Sequence, residues 1–274
     1  MTKRKLFADK SIFSLGLLLL VGFTTPHLNQ EAETEADIAA HAAVQATDLE
    51  GAWRLIDPVK MEQAAIPNAT AIKIMEDGLF SVAYYDEAGK KFLGTYGGTY
   101  EVSRGSISMT YEFNTFDSTA VGKTATGAYA ILNDKLGIEG IKGQQATETW
   151  EKVPVKNEVS PLAGAWRIRA RERDGQMSPM NPGPRKTIKM LSDNRFQWIA
   201  FNSETAEFFG TGGGTYTTEN GKYTEKIEFF SRDSSRVGQQ LSFDFNVKEG
   251  DWHHSGLSST GSKINEVWHL QANQ

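Results

Sequence analysis

From residue 49 onward, apolar and polar side chains alternate with a period of two, the spacing of β-strands that bury one face. Clear examples are Arg195–Phe201, Tyr223–Phe230 and Leu241–Val247. Turn-forming residues separate these runs, and none of the runs has the spacing of an amphipathic helix. About eight or nine short strands in roughly 110 residues predict an antiparallel meander that closes into a barrel, with an immunoglobulin-like sandwich as the alternative.

The pattern occurs twice along the chain. Leu49-Glu-Gly-Ala-Trp-Arg54 returns as Leu162-Ala-Gly-Ala-Trp-Arg167, and Glu148-Thr-Trp150 returns as Glu266-Val-Trp268. Between these blocks, the segment from Ile72 to Gly122 aligns with the second copy without a gap. The chain is therefore predicted to be all-β, with two tandem antiparallel meander barrels.

The repeat also sets the predicted domain boundaries. The first barrel is expected at residues 49–153 and the second at residues 162–271, each with about eight to nine strands. Residues 154–161 form a short polar segment with a proline at each end. A linker of this kind is semi-rigid, so it favours a preferred orientation of the two domains.

The N-terminal segment has the features of a targeting sequence. Lys3, Arg4, Lys5 and Lys10 are followed by an apolar run from Ile12 to Phe23, which is too short to cross a bilayer as a helix. Residues 1–23 are predicted to be a signal peptide and residues 24–48, rich in Ala, Glu and Thr, a disordered spacer. These segments predict export to the periplasm or secretion without membrane insertion after cleavage; an uncleaved anchor is the alternative.

Composition and charge exclude several classes of site. The chain has a formal net charge of −5 and no cysteine. Disulfides, thiolate metal sites and a cysteine nucleophile are therefore excluded, and nucleic acid and anionic membrane are not expected as partners. His253 and His254 are adjacent, so they face opposite sides of a strand, and with His269 they have no spacing typical of metal ligands. No metal and no cofactor are predicted.

Each copy opens with Gly-Ala-Trp, at Gly51–Trp53 and Gly164–Trp166, and closes on a strand with a tryptophan, Trp150 or Trp268. This pattern resembles the lipocalin and fatty-acid-binding-protein (calycin-type) superfamily of β-barrels. More narrowly, it is similar to short lipocalin-like secreted bacterial domains of unknown function. The resemblance implies that the opening tryptophan closes one end of each barrel, often under a basic side chain from the last strand.

Aromatic residues of the second copy are the candidate lining of a binding site, namely Trp198, Phe201, Phe243 and Phe245. The loop Arg173–Arg185 contains Met177 and Met180, and it is predicted to cover the mouth of the barrel over Trp198 and Phe243. Glu225 and Glu266 are the candidate polar contacts to a ligand. Glu266 recurs as Glu148, and the alternative role for this repeated pair is to form ion pairs with Arg167 and Arg54.

The function indicated by these features is binding of a small, mostly apolar molecule by an exported protein. Two other classes of function stay open. One is an enzyme of lipocalin-like fold that uses Glu266, Glu225 or His254 as acid or base. The other is a protein–protein interaction module without an internal cavity. No catalytic residue is assigned, and the oligomeric state is not predicted.

Overall fold

The computed structural model describes residues 46–271 except residues 62–63, 142–146 and 155–159. The predicted signal peptide, most of the predicted spacer and most of the predicted linker lie outside the described residues. A short helix, α1, occupies Ala46–Leu49, so the last residues assigned to the spacer are helical. Leu49 is buried in the core of the first barrel. Within the described part of the chain, no helix is long and apolar enough to span a membrane.

The first copy folds into a closed antiparallel barrel of eight strands. Its strands pair in the order β1-β10-β9-β8-β7-β6-β5-β4, and β4 pairs with β1 to close the ring. The strands of this copy, including a separate short pair formed by β2 and β3, are β1 (Gly51–Leu55), β2 (Lys60–Met61), β3 (Ala64–Ala65), β4 (Thr70–Glu76), β5 (Leu79–Asp86), β6 (Lys91–Ser103), β7 (Ser106–Asn114), β8 (Thr124–Leu132), β9 (Lys135–Glu139) and β10 (Thr147–Lys152).

The second copy repeats this ring and adds one strand. Its eight ring strands close through pairing of β11 with β19, and β12 forms a hairpin outside the ring with β11. The strands are β11 (Gly164–Arg173), β12 (Gln176–Pro179), β13 (Arg185–Ser192), β14 (Arg195–Asn202), β15 (Glu207–Glu219), β16 (Lys222–Phe230), β17 (Gln240–Lys248), β18 (Asp251–Leu257) and β19 (Lys263–Leu270). The predicted tandem meander barrels are confirmed, since each ring is continuous and does not split into the two facing sheets of a sandwich.

A short 3₁₀ turn interrupts each barrel at the same place, Ser118–Ala120 in the first and Ser234–Arg236 in the second. Asp117 and Asp233 cap these turns by accepting backbone N–H groups from Thr119 and Ser235. The Asp-Ser pair that recurs in the sequence is therefore a turn cap.

The opening tryptophans plug one end of each barrel. Trp53 Nε1 donates to the Leu49 carbonyl and Trp166 Nε1 to the Leu162 carbonyl, each at 2.9 Å. In the first barrel, Lys152 Nζ lies 5.2 Å from the centre of the Trp53 ring. A basic side chain from the last strand thus covers the plug of the first barrel, although lysine stands there instead of arginine.

The two barrels pack against each other through the outer faces of matching strands. Two hydrogen bonds between the barrels correspond to each other, and each joins a backbone N–H group to a carboxylate. Ala52 N–H donates to Asp193 Oδ2 at 2.8 Å, and Ala165 N–H donates to Asp77 Oδ2 at 3.0 Å. These residues occupy equivalent positions in the two copies, as an approximate two-fold axis between the barrels requires. The apolar side chains buried in this interface are Ala52, Ile72, Ile74, Ala83, Tyr85, Phe113 and Val153 from the first copy and Ala165, Ile188, Met190, Ile199, Phe201 and Phe229 from the second.

Aromatic pairs follow the same two-fold relation. The Tyr85 and Phe229 rings lie 4.8 Å apart, and the equivalent Phe113 and Phe201 rings lie 4.9 Å apart. Phe201 therefore faces the other barrel, which corrects its prediction as a lining residue. It is three residues after Trp198, and an odd separation places two side chains on opposite faces of a strand.

Polar groups join the barrels around these rings. Glu228 accepts hydrogen bonds from Tyr85 Oη at 2.6 Å and from Arg195 Nη1 at 2.5 Å. Gln197 Nε2 donates to Thr95 Oγ1 at 2.9 Å. A cavity of about 10 Å³ lies beside Tyr85, Arg195 and Gln197, which is close to the space that one water molecule needs. With its apolar area and paired polar groups, the interface holds the two barrels in a fixed orientation.

Candidate functional site

The interior of the second barrel contains a cluster of buried ionisable side chains. Lys189 on β13, Glu225 on β16, His254 on β18 and Glu266 on β19 all point inward and are buried. Alternation along each strand places them there, since every second residue of a barrel strand faces the axis. Burial of charge is costly unless each charge is paired, so the contacts of each group decide what the cluster can do.

Lys189 lies between a carboxylate and aromatic rings. Its Nζ donates to Glu225 Oε1 at 2.9 Å. The same ammonium lies 5.1, 5.2 and 5.4 Å from the ring centres of Tyr223, Trp252 and Trp268. The negative faces of these rings stabilise the ammonium in addition to the ion pair.

Glu266 is the most highly connected acid of the cluster. It accepts hydrogen bonds from Arg171 Nε at 3.0 Å and from Trp268 Nε1 at 3.1 Å. Arg171 Nη2 lies 2.7 Å from its Oε1, and His254 Nδ1 lies 3.6 Å from its Oε2. Burial alone would raise the pKa of Glu266, but His254, Arg171 and Lys189 outweigh burial and lower the pKa to about 2. Glu266 is therefore ionised at neutral pH.

The expected ion pairs of the two repeated glutamates with Arg54 and Arg167 are wrong. Arg54 is exposed on the outside of β1, and Arg167 donates instead to the Gly183 carbonyl at 2.7 Å. Arg171 replaces Arg167 as the partner because a bulge between Ile168 and Ala170 shifts the register of β11 against β19. One extra residue turns the following side chains to the other face, and this brings Arg171 inward.

His254 is held neutral. Burial lowers its pKa, and the charge of Lys189 lowers it further, while the carboxylates of Glu266 and Glu225 oppose the shift in part. Its ring packs 4.3 Å from the Phe243 ring and 5.0 Å from the Trp252 ring, between centroids.

Two of these buried rings carry nitrogen atoms without a hydrogen-bond partner among the described residues. They are Trp252 Nε1 and both ring nitrogens of His254. By contrast, the indole N–H groups of Trp53, Trp150, Trp166 and Trp268 all donate to carbonyl or carboxylate oxygens. Buried polar atoms normally find a partner in protein, water or ligand, so these nitrogen atoms remain available for hydrogen bonding.

The first barrel keeps only part of this cluster. Lys73 Nζ lies 3.5 Å from Glu148 Oε2 and 4.1 Å from the Trp150 ring centre, and Trp150 Nε1 donates to Glu148 at 3.0 Å. Burial lowers the pKa of Lys73 to about 8, although Glu148 opposes the shift. A Lys-Glu-Trp unit, formed by Lys189, Glu266 and Trp268 in the second barrel, is thus common to both copies.

The remaining members of the second cluster are replaced by apolar side chains in the first barrel. The strand registers and the repeat place Ile107, Met109, Leu136 and Ile138 at the positions of Tyr223, Glu225, Trp252 and His254. Closure of the barrel therefore does not require the polar groups at these positions.

The other predicted site residues lie around the cluster. Phe243 belongs to the core of the second barrel, and Trp198, Phe245 and Met180 are partly buried against the same core. Met177 lies on the β11–β12 hairpin with 44% of its surface exposed. The structure thus brings Trp198, Phe243, Phe245, Met180, Glu225 and Glu266 to one barrel, and it leaves Phe201 and Met177 outside.

Sequence reasoning missed Lys189 and Arg171. A signal for Lys189 was present, since a lysine recurs between apolar neighbours at Lys73 and Lys189. No comparable signal existed for Arg171, because its orientation depends on the bulge. Among the described residues, no group of His, Asp or Glu side chains is arranged to hold a metal ion.

Comparison with known proteins gives one match to a family model, over less than half of the chain, and the family has no assigned role. A model described as Domain of unknown function (DUF4488) matches residues 161–270, which is the second copy. No curated protein matches the chain. In the described part of the chain, the fold is that of two tandem closed antiparallel β-barrels.

Three solved structures are similar to the chain at low identity. A lipocalin-like protein from Bacteroides uniformis has 12% identity and a TM-score of 0.31, and the match covers 41% of this chain and all of that one. An uncharacterized protein from Saccharomyces cerevisiae has 11% identity and a TM-score of 0.39, covering 81% and 99%. A transferrin binding protein B mutant from Haemophilus parasuis has 8% identity and a TM-score of 0.23, covering 78% and 63%.

Proposed function

We propose that the protein is an exported binding protein that holds a small molecule inside its second barrel. The observation that carries this proposal is the contrast between the copies. Glu225, Trp252 and His254 are buried in the second barrel at positions where the first barrel has Met109, Leu136 and Ile138. The two barrels share one fold, so the first barrel serves as an internal reference for what the fold alone needs.

Stability does not explain the polar side chains. Replacing a buried ion pair by apolar residues of similar size is often neutral or stabilising. An unpaired buried N–H group such as that of Trp252 costs about 1–3 kcal/mol. A chain that keeps Glu225, His254 and the Trp252 N–H group in one copy, and apolar side chains at the same positions of the other, is expected to use these groups for binding.

The arrangement of the barrel indicates where a ligand enters. Trp166 and Leu162 close one end. On the inner face of β11, Arg171 lies beyond the Trp166 plug, and its side chain is 42% exposed while its partner Glu266 is buried. The Arg171 ion pair therefore reaches from solvent into the interior, and movement of this one long side chain would open the cluster.

Apolar residues complete the proposed site. Met180, Trp198 and Phe245 pack against the core but keep part of their surface exposed. A ligand would place its apolar part against these side chains and its polar part against His254 and Trp252. The sequence predicts a mostly apolar ligand. This arrangement adds that the ligand carries a polar group at the end that is buried in the barrel.

Native mass spectrometry of protein purified from the cells that naturally produce it tests the proposal. The wild-type protein is expected to carry a noncovalently retained small molecule. A variant with Glu225→Met and His254→Ile, which copies the first barrel, should lose that molecule, and Met109→Leu in the first barrel is the control that should retain it. Wild-type protein without a retained molecule, or a double variant that still carries it, would refute binding in the second barrel.

Export is proposed on the signal-like segment at residues 1–23. The intact mass of the protein from the same preparation should lack roughly the first 23–30 residues, because a signal peptide is removed at this distance from the start. Retention of Met1 would contradict export by this route.

A further inference from the structure

The formal charges inside the second barrel cancel in pairs. Lys189 is bound to Glu225 at 2.9 Å, and Arg171 is bound to Glu266 at 2.7 Å. His254, the remaining titratable member of the cluster, is held neutral by burial and by Lys189. The cluster therefore has no net charge to offer a charged ligand.

This balance selects against ions. A ligand carboxylate or ammonium would enter a buried site in which each opposite charge already has a partner. The ligand would then have to break an ion pair or remain uncompensated, and both are costly in a low-dielectric interior.

The unpaired nitrogen atoms indicate which hydrogen bonds the ligand makes. Trp252 Nε1 can only donate, so it needs an acceptor. In neutral His254, Nδ1 faces Glu266 Oε2 at 3.6 Å, and a proton on Nδ1 is favoured by that carboxylate. Nε2 is then an acceptor and needs a donor from the ligand.

The Trp252 donor and the His254 acceptor lie on neighbouring side chains. They are two residues apart on β18, face the same side, and have ring centroids 5.0 Å apart. We infer that the ligand is a neutral molecule with an adjacent acceptor and donor, as in a primary or secondary amide or a lactam, attached to a flat apolar group. This inference rests on the proposed function and adds the chemical class of the ligand.

Three isosteric probes that differ in charge test the inference: benzamide, benzoate and benzamidinium. The readout is the ¹⁵N–¹H signal of the Trp252 side chain in protein labelled at tryptophan, identified with a Trp252→Phe variant. Benzamide is expected to shift this signal, with an affinity at least tenfold above that of either charged probe. The Trp53 signal is the internal control, because its N–H group is bonded to Leu49 in the other barrel.

A fourth probe tests the hydrogen bond to His254. N,N-dimethylbenzamide keeps the acceptor and lacks the donor, so it should bind the wild-type protein about tenfold more weakly than benzamide does. In a His254→Phe variant the two amides should bind equally, because Phe offers no acceptor. If that variant fails to fold, the same comparison is made with a His254→Leu variant, which also lacks the acceptor.

The possible results test the inferred class of ligand separately from the proposed existence of a binding site. Binding of benzoate or benzamidinium to the Trp252 region as tight as that of benzamide would overturn neutrality and leave the proposed function intact. Equal binding of the two amides to the wild-type protein would overturn the role of His254. If no probe moves the Trp252 signal at millimolar concentration, the inferred class is wrong, and native mass spectrometry then decides separately whether the barrel binds anything.

Discussion

At the scale of single residues, the Lys-Glu-Trp unit shows what repetition in a sequence can reveal. Glu148 and Glu266 recur in the two copies, and both are buried inside their barrels. Their partners were assigned wrongly in both copies, although Arg54 and Arg167 directly follow the inward-facing Trp53 and Trp166 and must therefore face outward. The alternation of faces thus excluded Arg54, and the recurrence of a lysine between apolar neighbours, at Lys73 and Lys189, was the signal for the inward-facing lysines.

Removing the charge of Lys73 is expected to destabilise the first barrel. In Lys73→Met, Glu148 stays buried without its cation, which typically costs about 3–5 kcal/mol. Adding Glu148→Gln should restore much of the lost free energy of unfolding, because it removes the uncompensated charge. Urea unfolding measures both variants. The exposed Lys123→Met is the matched control and should change stability by less than about 0.5 kcal/mol. A double variant no more stable than Lys73→Met would contradict the ion pair.

At the scale of elements, strand order and hairpin pairing followed from periodicity and turn residues, and the fold was predicted correctly for this reason. Bulges were not predictable in the same way. The bulge in β11 turns Arg171 inward, and in the first copy β1 already ends at Leu55. One inserted residue turns all later side chains of the same strand to the opposite face of the sheet. Such bulges therefore decide which side chains form the candidate site.

The hairpin formed by β11 and β12 gives a matched pair of methionines for a test at this scale. Met180 is partly buried against the core of the second barrel, whereas Met177 is 44% exposed. Met180→Ala is expected to weaken benzamide binding several-fold and to lower the free energy of unfolding by about 1–2 kcal/mol, since only part of the side chain is buried. Met177→Ala should leave benzamide binding and the free energy of unfolding unchanged within experimental error. Equal effects of the two changes on binding would contradict the proposed contact of the ligand with Met180.

At the scale of the whole molecule, the two barrels form one unit around an approximate two-fold axis. The alternation of apolar and polar residues in each copy predicts which residues lie on the outer faces of its strands. It does not predict which of these outer faces contacts the other barrel. Phe201 illustrates this limit. The alternation of side chains along its strand places it on the outside of the barrel, and only its contact with Phe113 of the other barrel explains why an aromatic residue occupies this position. Duplication was therefore predictable, and the contact between the copies was not.

The interface makes stability depend on pH through Glu76. Burial raises the pKa of Glu76 to about 7, and the nearby Glu50, Asp77 and Asp193 add to the effect while a hydrogen bond with Ser192 opposes it. Between about pH 4.5 and 7 the unfolded chain has released this proton and the folded chain keeps it, so stability falls as pH rises.

Glu76→Gln should remove this pH dependence. At pH 8 the variant is expected to be more stable than the wild type by on the order of 2 kcal/mol, a value reduced by the partial exposure of the carboxyl group. Near pH 4.5 the two proteins should differ little. Thermal or urea unfolding across this range measures the difference, with the exposed Glu101→Gln as the control. A difference that does not change with pH would contradict the raised pKa.

The central claim is that the polar interior of the second barrel exists for binding and not for folding. Its most direct test is the free energy of unfolding of ligand-free protein carrying Glu225→Met and His254→Ile, the residues of the first barrel. The charge of Lys189 already acts on Glu266 and lowers its pKa, so Glu266 remains to balance Lys189 as Glu148 balances Lys73, and the partly exposed Arg171 can turn toward water. The account predicts a free energy of unfolding that is unchanged within about 1 kcal/mol or higher than that of the wild type. A loss of several kcal/mol would show that the polar groups hold the barrel together, and would contradict the claim.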